Sequence, residues 1–81
     1  MLRKGMIWMP MDKKDQLAEL ISNAETSFYN GQLQEAFSLS LSAIKLDENC
    51  ADAYQCAANV CMSLSRYEDA IEYYQKVQIY I

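Results

Sequence analysis

The chain has 81 residues, room for one small domain near the size at which a single hydrophobic core leaves only a few kcal/mol of net stability. With 52% apolar and 22% charged residues its composition is that of a globular protein, which excludes a chain that stays disordered. A net charge of −4 with no basic stripe excludes sequence-independent phosphate binding, and nucleic acid is not an expected partner.

Residues 1–11 differ in composition from the rest and form a short, apolar, Met-rich amino-terminal arm that carries Arg3, Lys4 and Trp8. Its apolar part is too short for a signal-peptide core, is interrupted by Pro10, and has no small-residue cleavage site after it. Residues 12–81 form the expected domain. Asp12, with Asp15 three residues on, marks a helix start, and Leu17, Leu20, Ile21, Ala24 and Phe28 follow at helical spacing. Asn30-Gly31 ends that helix, because Gly takes the left-handed cap conformation without steric penalty.

The next helix is expected from about Leu33 to Leu46. Two signals compete there: Phe37 to Ser42 alternates like a strand, whereas Ala36, Leu39, Ala43 and Leu46 keep the helical period. Asp47-Glu48-Asn49 breaks the pattern, with Asn49 the candidate N-cap of a third helix from about Cys50 to Leu64. That helix carries Tyr54, Ala57, Ala58, Cys61 and Met62 on its apolar side. After a turn at residues 63–66, Glu68 and Asp69 open a fourth helix at its positive end, with Ala70, Ile71, Tyr74, Val77 and Ile81 directed inward.

These four segments repeat one another. Leu20/Tyr54, Ala24/Ala58, Gly31/Ser65, Leu33/Tyr67, Glu35/Asp69, Ala36/Ala70, Phe37/Ile71 and Ala43/Val77 are each separated by 34 residues. A unit of that length with helical apolar spacing predicts two helical hairpins stacked side by side, since neither buries its apolar face alone. The register also settles the competing signals: it sets residues 36–46 opposite the helical pattern of Ala70 to Tyr80.

The residues resemble the tetratricopeptide repeat, a helix-turn-helix unit of 34 residues. Residues 51–81 are the better copy, with Tyr54, Ala57, Ala58, Cys61, Ala70 and Tyr74 in the family's motif slots and Tyr67 to Lys76 closely like its second helix. Residues 17–50 match less well. Leu20, Ala24, Gly31, Ala36 and Ala43 fit, but Asn23, Ser27 and Ser40 occupy slots that are usually large and apolar, and Glu48 replaces the Pro. Small residues at Ala24, Ala36, Ala58 and Ala70 let helix backbones approach closely. The resemblance implies an all-α fold, a short solenoid of two repeats at about 17–50 and 51–81.

The resemblance also implies a non-catalytic interaction module, an adaptor or chaperone-like scaffold whose first helices line a groove for a peptide or amphipathic helix. The groove slots fall on Ala18, Ile21, Glu25, Phe28 and Tyr29 in the first repeat and on Asp52, Gln55, Asn59, Met62 and Ser63 in the second. One subtype is excluded: where the family's chaperone-tail binders carry a carboxylate-clamping Lys and Asns, this chain has Ile21, Glu25 and Cys56, and Glu25 repels a carboxylate. The alternative is a structural subunit, or part of a larger repeat assembly, with no free groove.

Enzyme chemistry finds little support. There is no His, the commonest general base and metal ligand, and no glycine-rich phosphate loop, so no catalytic residue, metal or cofactor is expected. Cys50, Cys56 and Cys61 are odd in number and lack a C-x-x-C pair; free thiols imply a reducing compartment, and the expected location is the cytoplasm. Repeat arrays need a polar cap on the last hairpin. With none in sight, Ile71, Tyr74, Val77 and Ile81 are expected to remain partly uncovered and to support a homodimer or contact with an obligate partner, with Trp8 as a second candidate contact.

Overall fold

The computed structural model describes residues 12–81. Four helices make up the fold: α1 Lys13–Tyr29, α2 Leu33–Leu46, α3 Ala51–Ser63 and α4 Tyr67–Tyr80. There is no strand among the described residues; the alternating run from Phe37 to Ser42 lies inside α2. Helix α1 pairs with α2 and α3 with α4, while α3 also packs on α2 and touches α1. The result is two stacked helical hairpins, with α3 the central helix.

The two hairpin turns share one backbone design, 34 residues apart. Helix α1 ends with Gly31 N–H donating to Phe28 C=O and Gln32 N–H to Ser27 C=O; α3 ends with Ser65 N–H donating to Met62 C=O and Arg66 N–H to Cys61 C=O. This paired closure satisfies carbonyls that the helix end leaves orphaned, and it requires a left-handed residue just after the cap. Gly31 has φ 82° and Ser65 has φ 63°. The first repeat thus uses the residue suited to the conformation, and the second forces a serine into it.

The middle turn is built differently from expectation. Asn49 does not cap α3: the N-cap is Cys50, which makes no side-chain cap bond. The Asn49 N–H instead donates to Asp47 Oδ1 at 3.0 Å, and Cys50 N–H donates to Asp47 C=O, so the aspartate organises the turn. Tyr54 closes the same segment by donating its hydroxyl to Glu48 C=O at 2.7 Å.

Small residues dominate the fully buried positions. Ala36, Ala43, Ala53, Ala57, Ala58 and Ala70 are wholly inaccessible, and the largest such side chains are Val60, Cys61 and Ser40. Close backbone approach is the consequence, and α3 supplies most of these residues. Bulk comes from an aromatic column on the other side of α3. Tyr73 lies edge-on to Phe37 at 6.5 Å and tilted against Tyr54 at 6.3 Å, and Tyr80 stacks on Tyr54 at 5.7 Å. Arg66 sits over the Phe37 ring and Lys76 over the Tyr54 ring.

Two serines sit where large apolar residues are usual, and both are buried. Ser40 is wholly inaccessible and donates its hydroxyl to the Ala36 carbonyl one turn back at 2.8 Å, so no polar group is stranded. Asn23, by contrast, is exposed.

The inward face of α4 differs from the sequence expectation. Only Ala70 is buried. Ile71 is 56% exposed, Ile81 93% and Tyr74 37%, while Tyr73 and Val77 are half-buried. The cause is positional: Phe37, the equivalent of Ile71, is half-buried against Tyr73 and Arg66 of the second hairpin, and nothing among the described residues packs on the corresponding side of α4.

Candidate functional site

A cleft of about 200 Å3 opens between α1 and α3, the first helices of the two hairpins. From α1 come Glu25, Phe28 and Tyr29; from α3 come Asp52, Gln55 and Asn59; Ala24 and Cys56, both buried, form its floor. The helical period explains this grouping, since residues three and four apart share a face. Six of the ten groove positions read from the sequence therefore meet in one cleft.

The remaining positions do not. Ile21 is half-buried one turn before the cleft, and Met62 is 47% exposed one turn beyond it, and neither lines the space. Ala18 and Ser63 are exposed and also outside it. The cleft combines Glu25 and Phe28 of α1 with Asp52 and Gln55 of α3, whose equivalents in α1 are Ala18 and Ile21. The two helices are thus offset along their length, and matching slots do not all face each other. The sequence reading missed Cys56 and Ala24 as floor residues; the signal was present in their small size at helical spacing from Gln55 and Phe28.

Two aromatic rings form one wall. Phe28 is half-buried and Tyr29 is 80% exposed, with ring centroids 5.6 Å apart in an edge-on arrangement. Two amides face a different chemistry. Asn59 accepts the Tyr74 hydroxyl on Oδ1 at 2.6 Å, which leaves its amino group as the unengaged donor; Gln55 is exposed and offers both donor and acceptor.

The cleft is acidic. Glu25 and Asp52 are both exposed, and no lysine or arginine lines the space. Their fields reach the floor: burial first, then Glu25, Asp52 and Cys50, push the Cys56 thiol up to about 11. A thiol held neutral in this way is a packing group and a poor nucleophile. Burial likewise raises Cys61, with Asp69 adding to the shift and Arg66 opposing it. Among the described residues no group of three or more His, Cys, Asp or Glu is placed to hold a metal ion.

The residues expected to self-associate lie on and near the outer side of α4. Ile71 and Ile81 project into solvent, Tyr74 is turned partly toward α3 by its bond to Asn59, and Val77 is half-buried. Trp8 lies outside the described residues. No helix among the described residues is long and apolar enough to cross a membrane.

Stacked hairpins of this length and register, joined by matching turns, define a tetratricopeptide-type helical-repeat protein. The family model described as "Anaphase-promoting complex, cyclosome, subunit 3", a family of this repeat type, matches residues 9–77, and the chain belongs to that family. No curated protein and no solved structure matches the chain.

Proposed function

We propose that this protein is a non-catalytic interaction module, an adaptor or chaperone-like scaffold that holds a peptide or amphipathic helix of a partner protein in the cleft between α1 and α3. The observation that carries the reading is the cleft itself, built from the first helices of both repeats and walled by aromatic, amide and carboxylate side chains. The family supports the reading, since repeats of this type generally act as protein-binding surfaces and its description names a subunit of a multi-protein complex. The absence of any histidine in the sequence supports a role without catalysis. Unpaired cysteines at positions 50, 56 and 61 support a reducing, cytoplasmic setting.

Panning a displayed random-peptide library against the protein tests the groove. The expected result is a set of peptides bound by the unmodified protein and lost from Phe28→Ala, with helix content unchanged by circular dichroism. Recovery of no peptide, or of peptides indifferent to Phe28→Ala, overturns the groove reading in favour of a structural subunit with no free groove.

A second element of the proposal is self-association through α4. It is supported by Ile71 and Ile81 in solvent, whereas Phe37, the equivalent of Ile71 in the first repeat, is half-buried against Tyr73 and Arg66 of the second hairpin. An exposed apolar face of this kind marks an interaction site. Light scattering across a concentration series is expected to show a dimer that Ile71→Glu converts to monomer; a monomeric unmodified protein at micromolar concentration sinks this element alone.

A further inference from the structure

Charge and size together narrow what the cleft accepts. At about 200 Å3 it falls below the range of roughly 300–1,000 Å3 usual for small-molecule pockets, which fits one or two side chains of a longer chain better than a free metabolite. Glu25 on α1 and Asp52 on α3 face the same space from opposite helices, and the lining supplies no cation to neutralise them. At the floor, burial first and then both carboxylates raise the Cys56 thiol, in keeping with this placement. A partner carrying negative charge is repelled here, and so is the free carboxylate at a chain's end.

Resting on the groove reading above, we infer that the cleft accepts an internal, lysine- or arginine-bearing segment of a partner protein, the cation lying between Glu25 and Asp52 and its aliphatic stem on Phe28 and Tyr29. Each lining group then has a complementary task. The carboxylates pair with the cation, and pairing across two helices places it at one depth in the cleft. The edge-on aromatic pair covers the methylenes of a long basic side chain, which carry apolar surface up to the charged head, and its ring faces attract the cation itself. The Asn59 amino group, its oxygen already engaged by Tyr74, donates to a carbonyl of the bound backbone, and Gln55 serves either partner group of an extended chain.

The experiment uses the library panning on the full chain, with the recovered sequences synthesised as peptides blocked at both ends. The expected result is enrichment of lysine or arginine at one fixed position, and binding that weakens at least about tenfold both in the Glu25→Gln/Asp52→Asn double variant and on raising salt. Both substituted side chains are exposed, so the double variant is expected to keep its helix content. Phe28-dependent peptides that lack a basic residue, or that bind the double variant unchanged, overturn this inference and leave the groove reading standing. If no peptide depends on Phe28, the groove reading fails and takes the inference with it. If peptides bind only after residues 1–11 are removed, the occupant is the chain's own segment bearing Arg3 and Lys4, and the assignment to a partner protein is wrong.

Discussion

The Tyr74 hydroxyl donates to Asn59 Oδ1 at 2.6 Å and so ties the last helix to a residue that lines the cleft. The first repeat has no counterpart: 34 residues earlier these positions hold Ser40, which turns back to its own helix, and Glu25, which points a charge at the cleft. The second hairpin therefore fixes the orientation of its groove amide, whereas the first leaves its carboxylate free to meet a ligand.

Replacing Tyr74 by Phe keeps the ring and removes that bond. At this partly exposed position the expected loss of stability is about 0.5–1.5 kcal/mol, measured by urea unfolding. A double-mutant cycle with Asn59→Ala assigns the loss to the pair: the two single losses should not add. Additive losses mean that the bond contributes nothing in solution.

The matching turns make a paired prediction of opposite sign. Ser65 holds a left-handed backbone that costs an L-residue roughly 1–2 kcal/mol, so Ser65→Gly is expected to stabilise by about 0.5–1 kcal/mol after the entropy gained by the unfolded chain is set against it. Gly31→Ala is expected to destabilise by about 1 kcal/mol, although no atom lies within 4 Å of the added methyl, because the penalty is in the backbone alone. Thermal melts of the two variants should move in opposite directions.

Helix number, order and hairpin pairing were legible in the 34-residue register because each repeat reports on the other. Residues that depend on a neighbour outside the repeat were not. Ile71 and Tyr74 were placed inward by helical spacing within their own segment, but α2 has α3 beside it and α4 has no equivalent helix among the described residues. Tyr73, half-buried between Phe37 and Tyr54, takes the inward place instead. The groove face was legible from helical spacing, but the offset between α1 and α3 is a tertiary property, and it left Ile21 and Met62 outside the cleft. Asn49 carried a capping signal that Asp47, two residues away, used for the turn.

The alanine floor between helices sets a steric limit. Ala58→Leu adds three carbon atoms where accessibility is already zero and is expected to cost about 1–3 kcal/mol or more, whereas Ala18→Leu, on the exposed side of α1, should stay within about 0.5 kcal/mol. Ser40→Ala is the contrasting case. It removes a buried hydroxyl together with its only partnership, a bond to the Ala36 carbonyl, and leaves no group unsatisfied, so stability should change by less than about 1 kcal/mol. A large loss at Ser40 in chemical denaturation would mean that the hydroxyl has a structural role beyond filling its slot.

Alkaline pH should unfold this protein through its buried acids. Burial, then the charges of Glu25, Asp52 and Cys50, raise Cys56 from 9.0 to about 11, and burial chiefly raises Cys61, Tyr54 and Tyr73 as well. Each group is neutral when protonated, and folding raises its pKa. Its contribution is therefore complete below the unfolded value and is lost as pH climbs through the folded one. For Cys56 that window runs from pH 9.0 to about 11. Stability measured by urea unfolding is expected to hold up to about pH 9 and then decline, and Cys56→Ala should make the decline shallower. Glu25→Gln removes a negative charge facing the thiol, so it should lower the Cys56 pKa and speed its alkylation at fixed pH in the Cys50→Ser/Cys61→Ala background. If the alkylation rate does not change, the Glu25 carboxylate does not reach the cleft floor, and the electrostatic part of the binding proposal loses its footing along with this prediction.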